Sequence, residues 1–308
     1  MTRYSYLGPA GTFAQAALNR LMQAEDVGIP YANVTAALNA VRSGEVESAL
    51  VPIENSVEGV VARTLDELAI GDPLVITAET TLPVTFVLMA KEFVALDSIT
   101  RVSSHPHAEA QCRHFIAAQL PHAEVILTSS TAQAASEVAQ SDSLQDAAIA
   151  AAVAAENYGL KILASEIGDN DDAVTRFVVV SKPGKLPDPT GHDRTSLAVF
   201  IGADHAGALL EILTELAVRG VNLTFIQSRP TGRELGHYHF VMDAEGHVVD
   251  ARVGDALSAL KRICEDVRFL GSYPRADRLP PTNHQTTSDA NFLTSSHWVE
   301  ELRNGLAT

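Results

Sequence analysis

Residues 181–195 read SKPGKLPDPTGHDRT, a span with three prolines and two glycines. Proline locks φ and removes a backbone donor, and glycine gives up order easily, so neither helix nor strand suits this span. It reads as a linker over 182–194. The stretches on its two sides carry different rhythms, and that contrast sets the architecture.

Upstream, short β-rich runs alternate with helical patterns. Strands are expected at Ser5–Leu7, Ser48–Pro52, ITRVSS (99–104), EVILTSS (124–130), AAIAA (147–151) and KILASEI (161–167), with long extended runs in PLVITAETTLPVTFVLMA (73–90). Helices are expected over Thr12–Met22 and Thr35–Ser43, from ENSVEG (54–59) through Leu68, over Pro106–Leu120, and from Thr131. This alternation predicts parallel sheets covered by helices on both faces. Downstream, the order is strand Ser196–Ile201, helix Ala206–Arg219, strand Asn222–Ser228, turn RPTGRELG (229–236), strand His237–Asp243, helix Asp250–Cys264 and strand Val267–Tyr273. That β-α-β-β-α-β order is ferredoxin-like. After Pro274 a polar tail ends in SSHWVEELRNGL (295–306), which suits a short helix holding the single Trp, Trp298.

The totals narrow the function. A chain of 308 residues allows about two domains. The formal charge of -16 argues against nucleic acid, whose phosphates need clustered Lys and Arg. An anionic small molecule remains compatible, because a few focused donors dominate a pocket locally. Cys112 and Cys264 form no C-x-x-C pair and read as buried small hydrophobes. The N-terminus has no signal-peptide core, and no uninterrupted apolar run is long enough for a membrane span, so a cytoplasmic protein is expected.

Three loops share one design. GPAGTF (8–13), ENSVEG (54–59) and SSHPH (103–107) each follow an expected strand and open an expected helix. Free N–H groups and the helix dipole make such turns anion sites, and Thr12, Asn55, Ser56 and Ser104 add side-chain donors. A fourth signal sits just before the linker. In NDDAVTRFVVV (170–180) a strand fit for burial begins with a hydroxyl, Thr175, and a guanidinium, Arg176. Together these describe a cleft able to grip a small molecule with two carboxylates. Arg176 either holds a carboxylate with two parallel bonds or braces the strand from behind, because neighbouring strand residues point to opposite faces. Glu54 reads equally as an acid–base group or a capping carboxylate. Nucleotide fingerprints are absent, DNDDAV (169–174) fails as a calcium loop, and the H-x-H pairs His105/His107 and His237/His239 lack a third ligand, so no metal is expected.

The motifs YLGPAGTF (6–13), VPIENSVEG (51–59), SSHPHAEAQC (103–112) and TRF (175–177), in this order, resemble prephenate dehydratase; GALLEIL (207–213) and NLTFIQSRP (222–230) resemble that family's ACT domain. The resemblance runs from Tyr4 to Tyr273. It implies an α/β catalytic region of two subdomains like a periplasmic binding protein: residues 1–181, with subdomain one at about 1–77 plus 173–181 and subdomain two at about 78–172. A ferredoxin-like βαββαβ ACT domain at 195–273 and a tail at 274–308 would follow. It implies decarboxylating dehydration of prephenate to phenylpyruvate in phenylalanine synthesis, without a cofactor.

By the same resemblance the catalytic threonine is Thr175. Asn55, Ser104 and Gln111 join Thr12, Ser56, Arg176 and Phe177 as substrate-binding residues. His107 stands where many members have Gln, and it is given no role. The family's ACT domain binds phenylalanine where two chains meet, which assigns Gly207, Ala208, Leu209, Leu210, Asn222 and Leu223 to the effector; a homodimer or homotetramer is implied. Phe225 and Gln227 replace a frequent Lys and Glu, so effector strength or identity differs from the family pattern. The alternatives are arogenate dehydratase, the same chemistry on the amino form of the substrate, and a non-enzymatic amino-acid sensor.

Overall fold

The structure is a computed structural model that describes residues 1–202, 205–231, 238–282 and 287–306. The chain divides into two compact units, Met1–Thr64 with Thr80–Val180, and Leu65–Glu79 with Ser181–Thr308.

The first unit is built on β1 (Arg3–Leu7), α1 (Phe13–Asn19), β2 (Val27–Tyr31), α2 (Val34–Ser43), β3 (Ser48–Asn55) and β4 (Gly59–Val60). The next helix and strand, α3 (Ala62–Ile70) and β5 (Val75–Pro83), straddle the boundary between the units. Then come β6 (Val87–Ala90), β7 (Arg101–Ser104), α4 (Pro106–Ala110), α5 (Arg113–Gln119), β8 (Glu124–Leu127), α6 (Thr131–Ala139), β9 (Ala147–Ala150), α7 (Ala152–Tyr158), β10 (Lys161–Ala164) and β11 (Val174–Ser181). One sheet has the order β2-β1-β3-β11-β5, with β4 added to β3; the other has the order β10-β6-β9-β7-β8.

The expected sheets are present, but they are not all parallel. β1 runs parallel to β2 and β3, and β7 runs parallel to β8 and β9, each through a helical crossover. β6 is antiparallel to both β9 and β10. β5 and β6 belong to different sheets and are joined by Val84, Thr85 and Phe86 alone. The chain returns beside that step, where the Val84 N–H donates to the Ala173 carbonyl at 2.7 Å.

Two expected helices change. ENSVEG does not open a helix: β3 continues to Asn55, turns, and pairs back as β4, with Glu54 opposite Val60. The helix from Pro106 breaks at Gln111 and Cys112. Asp169 causes the break. Its N–H donates to the Gln111 carbonyl at 2.6 Å, and its carboxylate accepts the His114 N–H at 3.1 Å, so the regular ladder is diverted there.

The second unit contains β12 (Asp193–Phe200), α8 (Ala208–Ala217), β13 (Leu223–Pro230), β14 (Tyr238–Glu245), α9 (Ala251–Ile263) and β15 (Asp266–Pro274). Its sheet, β13-β14-β12-β15, is wholly antiparallel, which is the ferredoxin-like arrangement. One face packs Leu197, Val199, Phe240 and Met242 against Ile212, Leu216, Val253 and Leu260. Of the expected turn at 229–236, Arg229 and Pro230 belong to β13, and residues 232–236 and the expected strand start at His237 lie outside the described residues.

Residues 65–77, expected in the first subdomain, group with this second unit. Arg229 grips Asp66 with two bonds of 2.9 and 2.8 Å. Arg194 pairs with Glu79 at 2.8 Å, both nearly buried. Gly271, at φ 137°, lets its backbone lie against the Ile76 backbone, where any Cβ would collide. The tail carries α10 (Asp289–Arg303), longer than expected and without a buried residue. Among the described residues no helix is long and apolar enough to cross a membrane.

Candidate active site

A cleft of about 550 Å³ lies within the first unit. Thr12, Phe13, Asn55, Glu58, Thr175 and Phe177 line it from the sheet of β1, β3 and β11; His105, His107, Gln111 and Ser129 to Thr131 line it from the other sheet. Phe13 meets Phe86 edge-on at 5.4 Å, giving the cleft an aromatic wall.

Thr175 is the second residue of β11, and strand alternation sends Thr175 and Phe177 to the cleft together. The Asn55 amide donates to Thr175 Oγ1 at 2.8 Å. The Asn55 carbonyl oxygen accepts two backbone N–H groups, from Val57 and Glu58, each at 2.8 Å. Those backbone donors fix which end of the amide is nitrogen. An amide NH₂ only donates, so Thr175 Oγ1 accepts, and its own hydrogen is left for a ligand.

The other assigned residues divide. Thr12 caps α1, accepting from the Gln15 N–H at 3.4 Å and donating to the Leu7 carbonyl at 2.9 Å, and it lines the cleft. The Gln111 amide lines the cleft and donates to Glu58 at 3.2 Å. Arg176 is not among the lining residues. It points away from the Thr175 face, and its guanidinium lies 3.9 Å from Glu54. Ser104 is also outside the lining; it is fully buried and donates to the Ile149 carbonyl at 3.0 Å. Ser56 ties the β3–β4 turn to β11: its hydroxyl accepts the Val174 N–H at 3.0 Å, and its N–H donates to the Val174 carbonyl at 2.9 Å.

Sequence reasoning gave no site role to Glu58, Phe86, His105 and the Ser129–Thr131 segment. Glu58 sits three residues past Asn55 in the quoted ENSVEG loop, and Ser129 and Ser130 precede α6 as a strand-to-helix turn of the kind already singled out. Ser130 caps α6 by accepting the Gln133 N–H at 3.0 Å. His105 caps α4 by accepting the His107 N–H on Nδ1 at 3.2 Å. Burial pushes the His105 pKa down, His107 lowers it further, and Glu58 opposes both. The Cys112 thiol, behind this segment, is pushed up to about 12, chiefly by burial. Among the described residues no cluster of His, Cys, Asp or Glu is arranged to hold a metal ion.

In the second unit, Gly207 to Leu210 line a pocket of about 270 Å³ with Ser228, Tyr238 and Phe240. Asn222 and Leu223, at the opposite end of β13 from Ser228, are not part of it.

Comparisons with known proteins bear on the whole chain. A prephenate dehydratase family model matches residues 4–185, and an ACT domain model matches residues 196–262. A prephenate dehydratase of Amycolatopsis methanolica is 46% identical over 306 residues, covering 99% of both chains. One from a Mycobacterium species (strain JLS) is 44% identical over 322 residues, covering 100% of this chain and 98% of the relative. A crystal structure of prephenate dehydratase in complex with L-Phe from Arthrobacter aurescens superposes with a TM-score of 0.93. It has 50% identity and covers 98% of this chain and 99% of that one.

Proposed function

The chain belongs to the prephenate dehydratase family, with an ACT domain following the catalytic unit, and from that premise we propose that it removes water and carbon dioxide from prephenate to give phenylpyruvate. The observation that carries the residue assignment is the Asn55–Thr175 hydrogen bond at the cleft wall. Prephenate carries two carboxylates and a ring hydroxyl. The bond from the ring to one carboxylate breaks, its electrons enter the ring, and the hydroxyl leaves as the ring becomes aromatic. The only help this chemistry needs is a proton or strong hydrogen bond at the leaving oxygen.

Thr175 supplies that bond. Its hydroxyl is a poor acid, but it is preorganised, because Asn55 occupies its acceptor side and leaves its hydrogen for the substrate. Phe13, Phe86 and Phe177 give the ring an apolar wall. The second N–H of the Gln111 amide and the Ser130-capped start of α6 offer donors to the carboxylates.

Phenylalanine acts back on the enzyme through the ACT domain. The pocket at Gly207–Leu210 suits an apolar side chain, and the relative from Arthrobacter aurescens was crystallised with L-Phe. Where two chains meet, Asn222 and Leu223 of one copy complete the pocket of the other, so the active form is a dimer or tetramer in the cytoplasm.

Incubating the protein with prephenate and reading phenylpyruvate absorbance in alkali tests the activity, with arogenate run in parallel. Phenylpyruvate from prephenate is expected; none would refute the proposal, and product from arogenate alone would move it to the amino substrate. Titrating phenylalanine while following activity and light scattering tests the feedback. A fall in activity is expected, and no binding with no change would refute it.

A further inference from the structure

We propose that His107 binds a substrate carboxylate and offers its hydrogen-bond donor only when protonated, so that capture of the dianionic substrate weakens as pH rises. This rests on the dehydratase reading of the cleft and extends it to a residue that reading leaves without a role.

Among the described residues, the cleft lining contains no Lys or Arg, and its one carboxylate is Glu58. A dianion therefore meets just two side chains able to carry positive charge, His105 and His107. They are not equivalent. His105 uses Nδ1 to accept the His107 N–H at 3.2 Å, and burial pushes its pKa down, which disfavours its charged form. His107 faces Glu58, whose carboxylate oxygen lies 3.3 Å from Nδ1. Glu58 is held in place: its N–H donates to the Asn55 side chain at 2.8 Å, and its other carboxylate oxygen takes the Gln111 amide at 3.2 Å.

A carboxylate only accepts, so Glu58 favours a hydrogen on Nδ1 of His107. In the neutral ring that leaves Nε2 as a bare lone pair, which repels an anion. In the protonated ring Nε2 becomes a charged donor, and such bonds are about twice as strong as neutral ones. Nε2 has no partner among the described residues, so it is available. The charged or titratable groups facing the ring are Glu58, from the β3–β4 turn, and His105, whose ring meets it edge-on at 4.9 Å. A glutamine amide at this position would donate at any pH. Histidine at this position makes the second donor depend on the charge of an imidazole.

Steady-state kinetics on prephenate from pH 6.0 to 8.5, at constant ionic strength, test this with the wild type and His107→Gln. Wild-type KM is expected to rise about fivefold over that range, a modest figure because the site is partly open to solvent. In His107→Gln the KM is expected to vary less than about twofold and to fall below the wild-type value at pH 8.5. Parallel KM profiles in the two proteins would overturn the role of His107 while leaving the dehydratase reading standing. Absence of turnover by the wild type would overturn that reading, and this proposal with it.

Discussion

Replacing Thr175 by Val keeps the β-branched shape that suits β11 and removes only the hydroxyl. Thr175 is nearly buried, so solvent cannot readily replace the lost group. If the hydroxyl donates to the departing oxygen, its loss removes an interaction that strengthens in the transition state. A single preorganised donor of this type is worth about 2.7–4 kcal/mol, or a fall in kcat of about 10²–10³. KM is expected to change by less than about threefold, because the ground state uses other donors. Stability falls too. The Asn55 amide, whose carbonyl end is fixed by the Val57 and Glu58 N–H groups, cannot flip to find a new partner. One stranded donor at this partly buried site costs about 1 kcal/mol. Thr175→Ser retains the hydroxyl and should keep kcat within about tenfold of wild type. Phenylpyruvate formation in alkali and urea denaturation read the two effects separately. A Thr175→Val enzyme with kcat within about threefold of wild type would refute the assignment, whatever its stability.

Three further substitutions test the placements. Arg176→Met breaks the contact with Glu54, which is half exposed, so a loss of about 1 kcal/mol in urea denaturation is expected with KM within about threefold; a tenfold rise in KM at unchanged stability would restore Arg176 to the substrate. Ser104→Ala leaves the Ile149 carbonyl without its partner and should lower stability by about 1 kcal/mol with little effect on KM; a large KM effect would count against a structural role. His239, in β14, is fully buried and stacked on Phe200 at 5.0 Å, and both ring nitrogens lack partners among the described residues. Burial pushes its pKa below the usual imidazole value, Asp66 opposes this, and Arg229 adds to it. The unfolded chain therefore binds the proton more tightly, and stability present above about pH 6.5 is lost as pH falls toward the folded value. His239→Phe should stabilise the protein by about 1 kcal/mol at neutral pH and by more at pH 5; a wild-type stability that does not fall more steeply with acid than the variant's would contradict this.

Much of the fold is legible from periodicity and punctuation, because both are local. The linker prolines, the alternation before them and the βαββαβ order after them each follow from residues close in sequence. Where the reading departs from the structure, a distant partner decides. The helix from Pro106 has an unbroken pattern, and it breaks because Asp169, far along the chain, takes the Gln111 carbonyl and the His114 N–H. Residues 65–79 have the same rhythm whatever covers them. They group with the second unit because Arg229, Arg194 and Gly271 bind or admit Asp66, Glu79 and Ile76.

The site follows the same rule. Alternation alone implies that Thr175 and Arg176 face opposite ways. It cannot say which one faces the cleft; the amide of Asn55 on β3 meets Thr175, and Glu54 beside it on the same strand meets Arg176. Two adjacent residues of one strand are thus matched to two adjacent residues of its neighbour, one pair on each face. Sequence motifs name the donors of such a site well, because donor chemistry resides in the residue. They name its acceptors poorly, because an acceptor is defined by what reaches it. Glu58 is the case in point. Within ENSVEG it is an ordinary loop carboxylate; in the cleft it receives Gln111 and faces His107, the C-cap and a first-turn residue of α4. By holding one donor of each, Glu58 fixes how the remaining donors, the second Gln111 N–H and His107 Nε2, are presented to a substrate dianion.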